Sequence, residues 1–193
     1  MADHVDKKNS AKPTTAAGKP TLRVAMTGAI TETYQGDPEQ LIKRLNELRG
    51  TEIVAWLQYK HHSYMAVSMA MPGVRAEFEE HAAQEEHHAD MLGERISQLG
   101  GIPVFEPFEI GQLAAKDNVT AKEGATMEDM VRVDLAMERQ QIRLYQTLIR
   151  EVAFQDPTTR RILEDILIET EHHATEMQNL LDRTAPLEHP GKT

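Results

Sequence analysis

The stretch EEHHADMLGERISQLGGIP, residues 85–103, decides the fold because it joins a helical pattern to metal-ligating side chains and a clear helix end. Residues 85–99 form the second half of a helix predicted over residues 74–99, and the helix stops at Gly100 and Gly101. The inward positions advance in steps of three and four, a spacing typical of a helix packed in a bundle. These positions are Val74, Phe78, His81, Glu85, His88, Leu92, Ile96 and Leu99. Glu85 and His88 therefore interrupt a largely apolar stripe.

Three other segments have a comparable length and the same helical period. Residues 37–69 and 156–183 each open with Asp-Pro, an N-cap followed by Pro at the first helical position. Residues 126–154 open with a Thr and, three positions later, an Asp, which together make a capping-box pair. The connection over residues 101–125 is long and rich in Pro and Gly. These features predict an all-α, antiparallel, ferritin-like four-helix bundle with one long crossover between the second and third helices.

Composition limits the chemistry that the chain can perform. The 193 residues contain no Cys, which excludes disulfides, thiolate zinc sites and iron–sulfur clusters, so any metal needs oxygen and nitrogen ligands. The formal net charge of −10 favours the attraction of small cations over nonspecific nucleic-acid binding. Residues 1–20 lack the apolar run of a signal peptide, and no apolar stretch approaches membrane-spanning length. We therefore expect a cytoplasmic protein without a membrane partner.

The two ends of the chain differ in composition from the helical part. Residues 1–36 mix Gly, Pro, Thr, Ala and Lys without a period, which predicts a flexible arm in front of a bundle over residues 37–183. Residues 184–193 form a short polar tail. The arm is mildly basic through Arg23, so contact with DNA is an alternative to a plain disordered tail.

An acidic residue lies at a similar depth on each of the four predicted helices. Three of these are Glu52, Glu85 and Glu138, and the fourth helix has an acidic cluster near Glu169. Carboxylates that face one another inside a bundle repel and resist ionisation. Two divalent cations between them would remove this cost, and His88, three residues after Glu85, could reach the same ion. A Glu from two helices and a Glu-x-x-His from the other two is the known di-iron carboxylate arrangement.

The register of the fourth helix leaves two candidates for the second histidine ligand. The Glu-x-x-His spacing selects Glu169 and His172, whereas the apolar phase, at about 100° per residue, centres on Thr170 and His173. We favour His173 on the phase and keep His172 as the alternative. Thr170 then lies where a Glu ligand would be expected. Glu169 is expected to extend toward the metal site, either as a metal ligand or as a hydrogen-bond partner of a ligand.

Four further residues are expected around the metal ligands. Asp134, one turn before Glu138, is a candidate to orient a histidine. His81 is expected to be a core histidine with satisfied hydrogen bonds, and Tyr145 a packing residue with a bonded hydroxyl. Tyr59 is the catalytic candidate, which either donates an electron or forms a hydrogen bond with a ligand.

Four stretches resemble the bacterioferritin and Dps-like branch of the ferritin superfamily, over roughly residues 38–183. They are TEIVAWLQYKHH (51–62), EEHHADMLGERISQLGGIP (85–103), VDLAMERQ (133–140) and ILIETEHHATEM (166–177). The resemblance implies that Glu52, Glu85, His88, Glu138 and His173 are metal ligands, with Glu85 bridging two ions and Tyr59 beside them. Thr170 departs from this pattern because the family has its second bridging Glu there. Glu86 stands where bacterioferritins carry a haem-ligating Met, so haem is not expected.

The resemblance also implies a function. A dinuclear ferroxidase centre within each subunit would bind two iron ions, oxidise Fe²⁺ with O₂ or H₂O₂, and feed an iron store inside a hollow homo-oligomer. An N-terminal arm without a fifth helix favours a mini-ferritin cage of about twelve subunits over one of about 24. Manganese or zinc could replace iron at such ligands. The alternatives are a di-manganese catalase or another di-metal oxidase on the same bundle, and a DNA-protecting shell that uses the arm.

Overall fold

The computed structural model describes residues 28–68, 72–114 and 126–184, and within these ranges it contains five helices and no strand. They are α1 (Pro38–Ser68), α2 (Pro72–Gln98), α3 (Pro107–Leu113), α4 (Met127–Val152) and α5 (Pro157–Thr184). The pairs α1–α2 and α4–α5 pack along their lengths as hairpins, and contacts of α1 with α4 and of α2 with α5 close the bundle. The predicted all-α bundle with one long crossover is confirmed.

The helix limits differ from the predicted ones where local chemistry is stronger than the apolar pattern. The second long helix begins at Pro72, two residues before the predicted start, because Pro fits the first helical turn. The helix α4 ends at Val152 rather than near residue 154, because Ala153 has a φ of 43°, which a helix cannot contain. The predicted Thr126–Asp129 capping box is present, with Asp129 N bonded to Thr126 Oγ1 at 3.2 Å.

A short helix lies within the crossover that was predicted as an irregular connection. The side chain of Glu106 caps α3 by accepting a hydrogen bond from the backbone N–H of Glu109 at 2.7 Å, and Pro107 occupies the first helical position. This helix contacts α1. The Pro and Gly residues of the segment predicted an irregular connection, but Pro107 stands at the first helical position and Gly111 lies within the short helix, which tolerates both.

Two apolar clusters lie at opposite ends of the bundle, and a polar layer separates them. The first cluster is Leu41, Leu45, Leu48, Leu92, Ile96, Leu99, Tyr145, Leu148, Val152, Leu163 and Ile166. The second is Ala55, Tyr59, Ala66, Phe78, Ala82, Met130, Val131, Leu135, Met137 and Met177. Burial of these side chains stabilises all four long helices. It also holds the polar residues between the clusters away from water.

Residues 28–36, which were predicted as part of a flexible arm, pack on the end of the bundle. Tyr34 and Ile30 lie against the first apolar cluster, and the Tyr34 hydroxyl donates to Asp156 Oδ2 at 3.2 Å. Gly28 adopts a φ of 85°, and a Cβ there would lie 2.8 Å from the carbonyl oxygen of Gln98. The basic part of the predicted arm, residues 1–27, and most of the predicted tail, residues 185–193, lie outside the described residues. The division into arm, bundle and tail stays a prediction.

In the described part of the chain, no helix combines the length and the apolar character needed to cross a membrane.

Candidate metal centre

Five of the predicted ligands converge in the polar layer, and none of them is exposed to solvent. Glu52 comes from α1, Glu85 and His88 from α2, Glu138 from α4 and His173 from α5. Each lies on the inward stripe of its helix, between apolar residues one or two turns away. Four helices therefore bring carboxylate and imidazole groups to one buried place.

The ligand atoms form two groups that share Glu85. In the first, His88 Nδ1 lies 3.4 Å from Glu52 Oε2 and 4.0 Å from Glu85 Oε2. In the second, His173 Nδ1 lies 3.2 Å from Glu85 Oε1 and 3.5 Å from Glu138 Oε1. The two oxygens of Glu85 thus face different histidines, the placement that a carboxylate bridging two ions requires.

The far side of each imidazole ring is held by a hydrogen-bond partner. His88 Nε2 lies 3.0 Å from Glu169 Oε2, and His173 Nε2 lies 2.8 Å from Gln84 Oε1. Carboxylate and amide oxygens only accept, so each Nε2 carries the proton. With Nε2 as the donor, Nδ1 of the neutral ring presents its lone pair to the carboxylates, which is how a second partner orients a metal-binding histidine.

Each of the five residues has a buried polar atom without a hydrogen-bond partner. They are Glu52 Oε2, Glu85 Oε1, Glu138 Oε2, His88 Nδ1 and His173 Nδ1. Leaving a buried polar atom unpaired costs about 1–3 kcal/mol, and more for a charged group. Cations bonded to these atoms would remove that cost. The oxygen and imidazole donors suit iron or manganese and also accept zinc, so the residues fit a dinuclear metal site.

Three side chains of the polar layer hold the other carboxylate oxygens. The Tyr59 hydroxyl donates to Glu138 Oε1 at 2.5 Å, and the Tyr145 hydroxyl donates to Glu52 Oε1 at 2.7 Å. Gln141 Nε2 donates to Glu52 Oε1 at 3.0 Å and to Glu85 Oε2 at 3.1 Å. Gln141 was not among the predicted site residues. Its place on the inward stripe, three residues after Glu138, was the signal that could have found it.

Burial and mutual repulsion shift the proton equilibria of these groups. Burial raises the pKa of Glu85 well above its usual value, and the carboxylates of Glu52 and Glu138 raise it further. Burial likewise raises the pKa of Glu138. Burial alone would lower the pKa of His88, but Glu52 and Glu85 outweigh it and raise the pKa to about 9. Without cations, the layer therefore retains protons that cations would displace.

The register of α5 follows the apolar phase rather than the Glu-x-x-His spacing. His173 and Thr170 are buried, and the Thr170 hydroxyl donates to the Ile166 carbonyl of its own helix at 2.9 Å. The His172 side chain is 65% exposed and contacts Glu176 at 3.1 Å instead. Glu169 is 48% exposed and meets the centre through His88. The structure thus places His173 among the ligand groups and Glu169 behind one of them.

Two of the predicted accessory residues, Asp134 and His81, have specific contacts with other helices. Asp134 accepts from Gln58 Nε2 at 2.8 Å and lies 2.8 Å from His62 Nδ1, so the histidine beside it is not one of the ligands. The His81 ring stacks on His173 with centroids 4.1 Å apart. Its Nε2 meets Glu176 at 2.9 Å, but its Nδ1 has no hydrogen-bond partner, so this histidine is only half satisfied. Sequence analysis missed these contacts because they join different helices.

Comparison with known proteins places the chain in a family. The family model of the ferritin-like domain matches residues 42–186. The nutrient stress-induced DNA-binding protein of Synechococcus sp. is 29% identical over 147 residues, which is 74% of this chain and 81% of that relative. The bacterioferritin of Mycobacterium tuberculosis is 29% identical over 149 residues, which is 77% of this chain and 87% of that relative.

Solved structures show the same relationship. A dodecameric thioferritin, a bacterioferritin-related protein from Bacteroides fragilis, matches with a TM-score of 0.69 and 31% identity over 76% of this chain and 87% of its own. The bacterioferritin of Desulfovibrio desulfuricans, described with a diiron site in different catalytic states, matches with a TM-score of 0.67 and 26% identity over 77% and 84%. The resemblance to the bacterioferritin and Dps-like branch is confirmed. With its family model covering most of the chain, the protein belongs to the ferritin-like domain family.

Proposed function

We propose that the protein oxidises Fe²⁺ at a two-iron centre in each subunit and stores the ferric product inside a homo-oligomeric cage. The observation that carries this proposal is the convergence of five buried candidate ligand residues from four helices, each with a buried polar atom that lacks a hydrogen-bond partner. The bacterioferritin relatives and the diiron site named for one of them support iron as the metal. The dodecameric relative supports a cage of about twelve subunits.

In this proposal each ion has its own histidine. Glu52 and His88 hold one Fe²⁺, Glu138 and His173 hold the other, and Glu85 bridges them. The iron supplies the redox chemistry. Two Fe²⁺ lose two electrons to become two Fe³⁺, and O₂ takes up these electrons with two protons to give H₂O₂. If H₂O₂ is the oxidant, the same electrons and protons convert it to two waters.

The remaining residues of the layer keep the ligands in place. Tyr145 and Gln141 fix Glu52, while Tyr59 fixes Glu138. Because Tyr59 touches a ligand directly, it also stands where a side chain can donate an electron during reduction of the oxidant. Replacing Tyr59 with Phe separates these roles. If Tyr59 donates an electron, oxidation slows although the two-ion stoichiometry is kept, whereas loss of the bond to Glu138 alone weakens cation binding.

Stopped-flow oxidation of Fe²⁺ by the purified apoprotein tests the assignment of the site. We expect Glu52→Ala and Glu85→Ala to oxidise iron at least about 100-fold more slowly than the parent, since each removes a ligand. Glu86→Ala is the matched control because Glu86 is the exposed neighbour of Glu85 on the same helix. Oxidation by the two ligand variants at the parental rate would show that the assigned centre is wrong.

Storage and metal identity need a second experiment. The mass of the native particle and its metal content, measured after aerobic Fe²⁺ loading, should show a cage of about twelve chains that holds many irons per chain. A small oligomer with two manganese ions per chain and rapid O₂ evolution from H₂O₂ would instead identify a di-manganese catalase.

DNA binding is a second candidate function because the Synechococcus relative is named for it. The basic side chains that would contact phosphate lie in residues 1–27, in front of an acidic protein with a net charge of −10. A gel-shift assay should show binding by the full chain, at low salt, that is lost when residues 1–27 are removed. Equal mobility of DNA with and without the full chain would remove this candidate.

A further inference from the structure

The proposed dinuclear centre contains fewer negative charges than two divalent cations would neutralise. Its carboxylates are Glu52, Glu85 and Glu138, and their three charges stand against the four of the ions. The ligand histidines are neutral when Nδ1 binds an ion, and His81, which groups with Glu138 and His173, adds no negative charge either. Counted over the described residues, the loaded centre therefore retains about one positive charge in a buried place, where an unpaired charge is costly.

Two further carboxylates near the centre do not supply the missing charge. The oxygens of Asp134 are bonded to Gln58 and His62, and burial raises the pKa of Asp134, which opposes a full negative charge on it. Glu169 is 48% exposed and lies behind the His88 ring, where water and salt screen its charge. Neither carboxylate belongs to the groups of side chains that could hold an ion.

The inward face of α5 is the place where a further negative charge is missing. Thr170 is fully buried and lies three residues before His173, so the two side chains share one face of the helix. The Thr170 hydroxyl is uncharged and donates to the Ile166 carbonyl at 2.9 Å. Gln141 reaches the layer from α4, but it is a neutral amide that donates to two of the carboxylates. The buried face of α5 thus contributes an imidazole and no carboxylate.

The ions of the proposed centre also need more ligands than the five residues supply. Each ion has one histidine, one carboxylate of its own and the shared Glu85, whereas even tetrahedral zinc takes four ligands. The oxygens of Glu85 lie 3.2 Å from His173 Nδ1 and 4.0 Å from His88 Nδ1. One carboxylate is therefore wide enough to serve both ions, and a second group of the same size would span the same pair.

We propose that the metal-loaded centre binds a small monocarboxylate from solution, which bridges the two ions beside Thr170. The ligand is a planar anion with one negative charge and two oxygens, of about the size of formate. It provides the charge that a carboxylate side chain at residue 170 would provide, and it completes the coordination of both ions. The inference rests on the dinuclear centre of the proposed function and adds an anion to it.

Zinc titration calorimetry of the full-length apoprotein tests the anion site, with formate as the probe and perchlorate to keep the ionic strength constant. At a formate concentration about ten times its dissociation constant, the apparent zinc affinity of the parent should rise about tenfold, because the anion binds only the loaded centre. The visible absorption of the Co²⁺-loaded protein should change over the same range of formate, since the anion enters the coordination of the metal.

Variants of Thr170 locate the anion. Thr170→Glu places a carboxylate within the chain, so zinc should bind at least about tenfold more tightly than to the parent without formate. Added formate should then have no effect. Thr170→Gln fills the same volume without a charge and should not gain affinity. Thr170→Ser is the matched control, because it keeps a hydroxyl that can bond to the Ile166 carbonyl, and it should retain the formate effect.

The possible outcomes separate the anion site from the proposed function. A parent that binds two zinc ions with equal affinity in formate and in perchlorate would overturn the anion site and leave the dinuclear centre intact. A formate effect of the same size in Thr170→Glu and in the parent would contradict binding beside residue 170. A parent that binds fewer than two zinc ions would contradict the dinuclear centre and the anion site together.

Discussion

Glu85 turns one oxygen toward each ligand histidine, whereas Thr170, on the inward face of α5, is bonded to its own helix. The two ions of the proposed centre would therefore share a single protein carboxylate. Glu169 and Gln84 fix the orientation of His88 and His173 by hydrogen bonds to their outer nitrogens. At this scale the centre depends as much on hydrogen-bond partners as on ligands.

The variant Thr170→Glu tests how the centre balances charge. A fourth buried carboxylate should lower the free energy of unfolding of the apoprotein by about 3 kcal/mol relative to Thr170→Gln, because it meets Glu85 and Glu138 without a partner. Saturating Zn²⁺ should remove most of this difference, since cations neutralise the added charge. Urea unfolding with and without zinc measures both effects. Equal stability of the two apoproteins would show that residue 170 does not face the carboxylates.

The variant Glu169→Ala tests the support of His88. Loss of the carboxylate that bonds to Nε2 frees the ring to rotate, so cation affinity should fall about 10- to 100-fold without loss of a ligand. Titration calorimetry with Zn²⁺ measures the change. Glu171→Ala, at an exposed position two residues away on the same helix, should bind like the parent. An unchanged affinity in Glu169→Ala would mean that packing alone orients the ring.

At the scale of elements, the start of α5 is tied to the rest of the bundle by charge. Asp156 caps the helix by accepting from Thr159 N at 2.8 Å, and Arg95 of α2 donates to both of its oxygens at 2.9 and 2.8 Å. Tyr34 from the segment in front of α1 bonds to the same carboxylate. Asp156 thus joins three parts of the chain at the end of the bundle opposite the second apolar cluster.

Asp156→Ala should cost far more stability than removal of a simple cap. We expect a loss of about 3–5 kcal/mol, because Arg95 would be left buried without its partner. Asp37→Ala is the matched control, because Asp37 caps the exposed start of α1 through Glu39 N and Gln40 N and should cost about 1 kcal/mol.

The pH dependence of Asp156→Ala provides an independent check. Burial acts to raise the pKa of Asp156, but its bonds to Thr159 and Arg95 outweigh this and lower it. A carboxyl with a lowered pKa contributes stability above its unfolded value, about 3.9, and loses it as the pH falls through the folded value. The difference in the free energy of unfolding between parent and variant, measured with urea, should therefore be largest near pH 7 and become smaller in acid. A difference that is constant with pH would contradict the ion pair.

At the scale of the whole molecule, the polar layer divides the core into two apolar clusters and weakens it when cations are absent. Neither cluster spans the bundle, so all four long helices meet around charges at its middle. Ion binding therefore couples directly to the stability of the fold.

Removal of cations should lower the melting temperature, and the effect should depend on pH. At pH 8 and a cation concentration about 100 times the dissociation constant, each ion contributes about 2.7 kcal/mol, or about 5–10 °C for a chain of this length. Since the pKa of His88 is raised to about 9 in the apoprotein, its ring must lose a proton on binding. At pH 6 the affinity of the site for the ion bound by His88 should be roughly 100-fold lower. Most of the increase in melting temperature that this ion provides should then be lost.

Scanning calorimetry of chelator-treated and Zn²⁺-loaded protein at the two pH values measures this difference. Glu52→Gln, which removes a ligand beside His88, should show a smaller shift at pH 8 than the parent. A shift of the same size at pH 6 and pH 8 would contradict displacement of a proton from His88.

The sequence by itself determined the four long helices, the depth of the polar layer and the inward position of His173. Each of these follows from periodicity or capping within one helix, where residues three and four apart share a face. Only the tertiary structure decided which oxygens face each histidine, that Gln141, Gln84 and Glu169 hold the ligands, and that Asp134 pairs with His62. These contacts cross between helices, so they depend on how the helices are rotated about their axes and on side-chain rotamers, which no single-helix pattern encodes.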